Sequence, residues 1–205
     1  MATGQERAIG RDDLERAVRA IARHFEADEV FIVGSQALLV GRADIANTLR
    51  MSQEIDVYPG NARDWEAVQA PRVEASEEIN ALFGEGSAFH QAHGFYIDGV
   101  DENTAKLPND WLARAKHLIV DLGEGRTASA IAPDPADLIA SKLARGEPKD
   151  VRFASICLRQ GLAKHRQIRE ALEVIMTDDT LQAAIRRLNQ ATQGPPPGFG
   201  HGNSL

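Results

Sequence analysis

The sequence predicts an α/β protein in which strands dominate the middle of the chain and helices form its last third. A β-branched and aromatic run, Val30-Phe31-Ile32-Val33, ends at Gly34 and is typical of a short buried strand. Acids alternate with aliphatic residues over Glu54-Ile55-Asp56-Val57, which is the period of a strand with one buried face. Beyond Pro135 the apolar residues recur at helical spacing. These patterns indicate a sheet followed by a helical region.

Length and composition indicate how the chain is organised into domains. The chain has 205 residues, of which 43% are hydrophobic, so it is long enough to bury a sizeable core. We expect a sheet domain over residues 1–132 and a helical part over residues 133–193 packed on it. The Pro- and Gly-rich end cannot continue a helix, so residues 194–205 are expected to be a disordered tail.

The first half of the chain is predicted to contain several helices besides its two strands. Residues 11–25 place apolar side chains on one helical face, with Asp12 and Glu15 spaced as an N-terminal capping pair. Good helix formers lead up to Gly41, whereas residues 41–50 fit either a helix or a loop. Two further helices are expected over residues 61–68 and 74–82.

Three more strands are predicted in the second half. Residues 95–100 form the first, with Asp98 on the face opposite Ile97. Phe89 and His90 are expected to position this strand. Residues 118–122 and 127–131 form the other two, joined by a hairpin turn at Gly123-Glu124-Gly125.

The last third begins with a clear helix start. Asp134 is placed as an N-cap and Pro135 at the first helical position, with Asp137 in the first turn. Helices are then expected over residues 149–159, 164–176 and 178–191.

Two short segments of the first half carry the chemistry. Gly34-Ser35 lies at a predicted strand-to-helix turn, where free backbone N–H groups favour an anion such as phosphate. Glu54 and Asp56 point to one face of their strand and repel each other. A hard divalent cation such as Mg²⁺ relieves that repulsion and bridges substrate phosphates.

In this order, Gly34-Ser35 and Glu54-Ile55-Asp56-Val57 resemble the signature of the polymerase-β-type nucleotidyltransferase superfamily. The chain also resembles a bacterial group of nucleotidyltransferase-like proteins related to the AbiEii toxins. That resemblance extends through residues 83–90, 94–100, 107–108, 137–143 and Lys149-Asp150.

The resemblance implies the minimal nucleotidyltransferase fold, a small mixed sheet flanked by helices with a helical C-terminal extension. It implies Mg²⁺-dependent transfer of a nucleoside monophosphate from an NTP to a hydroxyl of RNA or protein, in a toxin-like role with an antitoxin-like partner. The implied site residues are Glu54, Asp56 and Asp98 as metal ligands, with Asp121 as the reserve for Asp98, then Gly34, Ser35 and Lys142 for the nucleotide, and Asp150 beside Lys142.

Each assignment has a plainer alternative. Glu54 and Asp56 also fit a solvated strand face, Lys142 an exposed helix position and Asp150 a helix cap. Two departures from the superfamily pattern bear on activity: the gap from Ser35 to Glu54 is longer than usual, and the first acid is Glu rather than Asp. A catalytically silent member that binds a nucleotide or a partner is therefore the second hypothesis.

Composition and sequence pattern argue against several other classes of protein. A formal net charge of −7 argues against a broad electrostatic footprint for nucleic acid and leaves a local basic groove open. Cys157 is the only cysteine, so no disulfide can form within the chain. The chain shows neither a secretory signal nor an apolar run of membrane-spanning length, and we expect it to be cytoplasmic. His90 and His93 lack the further ligands that zinc needs.

Overall fold

A computed structural model describes residues 8–69 and 71–193, and the expected tail lies outside these residues. Within them, the predicted fold class is confirmed: a five-stranded mixed sheet is flanked by helices, and further helices follow it. The chain divides into two compact units. The first runs to Ala105 and resumes over Leu112–Asp134, and the second comprises Lys106–Trp111 and the chain from Pro135 onwards.

The sheet belongs to the first unit. Its strands are β1 (Glu29–Ile32), β2 (Glu54–Pro59), β3 (Tyr96–Gly99), β4 (Lys116–Gly123) and β5 (Arg126–Ala132). They lie in the order β3-β2-β1-β5-β4. β2 is parallel to β3 and antiparallel to β1, while β5 is parallel to β1 and antiparallel to β4. The β4–β5 hairpin was predicted, and Glu124 and Gly125 both have positive φ, as its tight turn requires.

The helices of the first unit are α1 (Arg11–Phe25), α2 (Leu38–Gly41), α3 (Asn47–Arg50), α4 (Ala62–Ala67), α5 (Ala75–Phe83) and α6 (Ala88–His93). α1, α4 and α5 confirm predicted helices. The ambiguous stretch after Gly41 is loop and then the single turn α3. The helix α6, of six residues, was not predicted.

The predicted cap of α1 is wrong. Gly10 is the N-cap, and the carboxylate of Asp13 accepts a hydrogen bond from the Gly10 backbone N–H at 2.9 Å. Because the helix begins at Arg11, its third position is Asp13, whereas the prediction had made Asp12 the N-cap.

Alternation along the strands separates a buried face from a polar one. Ile55, Val57 and Ile97 are fully buried, and α1 and α5 pack on the strands that carry them. The neighbouring positions Asp56 and Asp98 are half-buried on the other face. Because one face of β2 and β3 is buried, Asp56 and Asp98 both lie on the opposite face.

The second unit is helical. Its helices are α7 (Pro135–Arg145), α8 (Pro148–Arg159), α9 (His165–Ile175) and α10 (Asp178–Gln193), all four at predicted places. They pack through buried apolar residues that include Leu138, Ile139, Leu143, Ile168 and Leu188. Among the described helices, none has the length and apolar character needed to cross a membrane.

Candidate active site

The predicted acids meet across the pair of parallel strands β2 and β3. In the register of this pair Asp56 lies opposite Asp98, and Glu54 lies opposite Tyr96. Neighbouring strands are about 4.8 Å apart, so side chains at paired positions of one face are direct neighbours. The structure therefore brings Glu54, Asp56 and Asp98 together on one face of the sheet.

The Gly34 turn lies directly against this acidic group. Gly34 has φ +67° and ψ −164°, a conformation that is essentially restricted to glycine. A Cβ atom at this position would lie 1.8 Å from Oδ2 of Asp56. The neighbouring Val33 N–H donates to the Asp56 carbonyl oxygen at 3.0 Å, which holds the turn beside β2. Glycine is required here by both its backbone and its lack of a side chain.

Ser35 follows at the start of a 3-10 turn, Ser35–Ala37, that leads into α2. The long gap between Ser35 and Glu54 is filled by α2, a loop and α3, whose Leu49 is buried. The Gly-Ser turn and the acids are thus neighbours in space despite their separation in sequence.

The electrostatics of the acidic group are those of crowded carboxylates. Burial, together with the negative charge of Glu54, raises the pKa of Asp98 above its usual value. Burial, the charge of Glu54 and a hydrogen bond to it raise the pKa of Tyr96 to about 12. A bound cation would offset the repulsion between Glu54 and Asp98.

The donor chemistry of this group fits Mg²⁺. Carboxylate oxygens are its preferred protein ligands, and it is usually held by one or two of them, with water and substrate phosphates completing the shell. Over residues 8–69 and 71–193, no group of three or more His, Cys, Asp or Glu side chains is placed to hold a metal ion. The fit to Mg²⁺ therefore rests on two carboxylates with non-protein ligands, and the three-ligand set stays a prediction.

Asp121, the reserve for the third carboxylate, lies elsewhere. It is on β4, at the opposite edge of the sheet from β3, and it is exposed. Its Oδ1 atom accepts a hydrogen bond from the Gly123 N–H at 2.7 Å. The order of the strands therefore leaves Asp98 as the candidate for the third carboxylate beside Glu54 and Asp56.

Asp150 is occupied by contacts inside the second unit. It is 1% exposed and accepts two hydrogen bonds from Arg145, at 3.1 Å and 2.7 Å, and one from the Glu147 N–H at 3.1 Å. The bond from Glu147 belongs to the capping box of α8, which agrees with the structural alternative for Asp150. Its catalytic role stays a prediction.

Lys142 is half-buried on α7, and its Nζ atom lies 4.9 Å from the centre of the Phe153 ring. A cation over an aromatic face is held by the ring quadrupole. The structure thus gives Lys142 a defined place in the helical unit, and its contact with the nucleotide stays a prediction.

Tyr96 lies beside the acids and was not assigned to the site from sequence. The Tyr96 hydroxyl donates to Oε2 of Glu54 at 3.2 Å, and the His90 ring lies 5.2 Å from the Tyr96 ring. Phe89 contacts Phe95, directly before β3, at 5.2 Å; that Phe89 and His90 position the strand stays a prediction. The link from Tyr96 to Glu54 depends on strand register, which no local motif shows.

Comparison with known proteins adds a family. A family model described as "nucleotidyltransferase of unknown function (DUF6036)" matches residues 12–187. No curated protein and no solved structure matches the chain. The match confirms the nucleotidyltransferase resemblance at the level of the family, while the relation to AbiEii toxins stays a prediction. The chain therefore belongs to the DUF6036 family, nucleotidyltransferases of unknown function.

Proposed function

We propose that this protein is a Mg²⁺-dependent nucleotidyltransferase that moves a nucleoside monophosphate from an NTP to a hydroxyl of RNA or protein and releases pyrophosphate. One observation carries the proposal. The Gly34 turn lies against Asp56, and Asp56 is paired with Asp98 on the next strand, with Glu54 on the same face. The Gly34-Ser35 turn would bind the phosphates of an NTP, and the carboxylates beside it would bind the metal ion that accompanies the NTP.

In this proposal Glu54 and Asp56 hold the metal, and Asp98 shares it and helps to deprotonate the attacking hydroxyl. Bound Mg²⁺ would supply neutralisation of the charge that builds up on the phosphates during transfer. In this proposal the backbone N–H groups of the Gly34-Ser35 turn and the Ser35 hydroxyl donate hydrogen bonds to a phosphate. Lys142 and Asp150 enter the proposal through the resemblance, as a phosphate-neutralising charge and its partner.

The test compares label transfer by the wild type with that by Asp56→Asn, which keeps size and removes charge. Each α-labelled NTP is incubated with Mg²⁺ and a mixture of cellular RNA and protein. We expect transfer by the wild type and a loss of at least about 100-fold in Asp56→Asn, since charge stabilisation is the main contribution to this chemistry. The matched control is Asp121→Asn on the far edge strand, which should transfer at the wild-type level.

Undiminished label transfer by Asp56→Asn would show that Asp56 does not belong to the active site and would contradict this proposal. Absence of transfer with every NTP, while calorimetry still detects Mg-NTP binding, would favour the second candidate. That candidate is a catalytically silent member that binds a nucleotide or a partner protein. The observation that favours it is the lack, in the described part of the chain, of a three-residue group placed to hold a metal.

The resemblance to AbiEii toxins extends the proposal to a toxin-like role, with an antitoxin-like protein as partner. Induced expression of the wild type is then expected to arrest bacterial growth, whereas the folded Asp56→Asn variant is not. Equal growth arrest by both would separate toxicity from nucleotidyl transfer and remove this part of the proposal.

A further inference from the structure

Glu54 has a partner on the neighbouring strand. Tyr96 lies opposite Glu54 in the parallel register of β2 and β3, on the same face. Its hydroxyl donates to Oε2 of Glu54 at 3.2 Å. This hydrogen bond holds the carboxylate of Glu54 through its Oε2 atom.

The Tyr96 ring is itself positioned by the start of α6. Nδ1 of His90 accepts a hydrogen bond from the Gly86 backbone N–H at 3.0 Å, and the backbone N–H of His90 donates to Oγ of Ser87 at 3.1 Å. The bond to Nδ1 orients the imidazole, whose ring centre lies 5.2 Å from that of Tyr96 at an interplanar angle of 60°, and the bond to Ser87 caps α6. The Tyr96 ring is thus in contact with an imidazole that is itself held by a hydrogen bond.

The length of the side chain at position 54 matches this arrangement. Aspartate is one methylene shorter than glutamate, which would withdraw the carboxylate by about 1.5 Å. The hydroxyl of Tyr96 would then lie beyond hydrogen-bonding distance. Glutamate has one more rotatable bond than aspartate and loses more side-chain entropy when it binds a metal ion. The hydrogen bond from Tyr96 restricts the rotamers of Glu54 before the metal binds and so reduces this loss.

We propose that Tyr96 is a positioning residue, which orients the carboxylate of Glu54 for a divalent cation by donating a hydrogen bond to it. The inference rests on the proposed function, because it assumes that Glu54 is a metal ligand. Hydrogen bonds to ligating carboxylates fix their orientation, and their loss typically weakens metal binding by roughly 10- to 100-fold. Tyr96 acts through Glu54 and does not itself contact substrate.

The test measures Mn²⁺ affinity, with Mn²⁺ as the probe and the signal of the free ion followed by electron paramagnetic resonance. Tyr96→Phe keeps the ring beside His90 and removes the hydroxyl, and we expect its Mn²⁺ dissociation constant to rise about 10-fold. The matched control is Tyr58→Phe, which removes a hydroxyl from the same face of β2. The Tyr58 ring stacks on Phe31 at 4.8 Å, so the control should bind within about 2-fold of wild type. Urea unfolding of each variant confirms that the fold is kept.

A double-mutant cycle with Glu54→Asp separates positioning from a general effect on the strand. In the Glu54→Asp background the hydrogen bond is already out of reach, so adding Tyr96→Phe should change the affinity by less than about 2-fold. A 10-fold loss in both backgrounds would overturn the inference, as would unchanged affinity in Tyr96→Phe alone. Failure of the wild type to bind Mn²⁺, with or without an NTP, would overturn the metal site of the proposed function itself.

Discussion

At the scale of single residues, Gly34 links the backbone to the candidate site. Its positive φ and extended ψ exclude other residues on conformational grounds, and Oδ2 of Asp56 occupies the space that a side chain would need. The two constraints have different origins, so substitutions can separate them.

Gly34→Ala should lower the free energy of unfolding by about 2–5 kcal/mol, from roughly 1–2 kcal/mol of backbone strain and roughly 1–3 kcal/mol of overpacking against Asp56. Urea unfolding measures the loss. Gly125→Ala is the control, because Gly125 also has positive φ (+74°) but no atom lies within 4 Å of the place that its Cβ would take. This control should therefore show the backbone strain alone.

The collision can also be relieved from the other side. In an Asp56→Ala background the carboxylate is gone, and Gly34→Ala should cost at least about 1 kcal/mol less than it does in the wild type. An equal cost in both backgrounds would show that Asp56 does not crowd Gly34.

At the scale of elements, β3 is held from one side by β2 and from above by α5. The side-chain amide of Asn80 on α5 accepts from the Gly99 N–H at 2.8 Å and donates to the Gly99 carbonyl at 3.3 Å. Gly99 has no side chain because the Ser76 carbonyl oxygen lies 2.4 Å from where its Cβ would be. The strand that carries Asp98 is thus attached to a helix through polar contacts to its backbone.

Asn80→Ala removes both hydrogen bonds and should lower stability by about 1–3 kcal/mol, at roughly 0.5–1.5 kcal/mol for each bond. Hydrogen exchange should show the Gly99 amide losing protection first, because its acceptor is gone. The control is Asn189→Ala on α10, where the exposed Asn189 side chain contacts His165 and should matter little. Unchanged protection at Gly99 would mean that β2 alone holds the strand.

The start of α8 distinguishes a structural from a catalytic Asp150. Asp150→Ala removes the cap acceptor and the partner of Arg145, and we expect a loss of about 1–3 kcal/mol in urea unfolding. Asp179→Ala, an exposed first-turn acid of α10, is the matched control and should cost under about 0.5 kcal/mol. Wild-type stability in Asp150→Ala, combined with lost nucleotidyl transfer, would favour the catalytic role instead.

At the scale of the whole molecule, burial of Cys157 couples folding to alkaline pH. Burial raises the pKa of this thiol to about 12, against the smaller lowering effect of the Lys142 charge. The unfolded thiol ionises near pH 9, so from there upwards the unfolded state binds fewer protons than the folded state. The contribution of this thiol is therefore complete below pH 9 and is lost as the pH rises towards 12.

We expect the urea midpoint to fall more steeply between pH 9 and about 10.5 in the wild type than in Cys157→Ala, whatever the offset between the two at neutral pH. A thiol reagent at pH 8 should leave the native protein unmodified and react once urea unfolds it. Rapid modification of the native protein would contradict the burial of Cys157.

Local patterns in the sequence were sufficient for the features that depend on near neighbours. Alternation over residues 54–57 predicted a strand with its two acids on one face, because side chains alternate in any extended chain. Pro135 after Asp134 predicted the start of a helix, because proline favours the first helical turn. The hairpin glycines and the helical last third followed from similar short-range rules.

Only the tertiary structure decided which distant residues meet. Sequence offered both Asp98 and Asp121 as the third carboxylate, and the strand order placed β3 beside β2 and β4 at the far edge. The pairing of Tyr96 with Glu54 and the contact of Gly34 with Asp56 depend likewise on register and on the packing of separate segments. Periodicity determines which face a side chain occupies, whereas burial of the whole core determines which strands become neighbours, and that is a property of the complete fold.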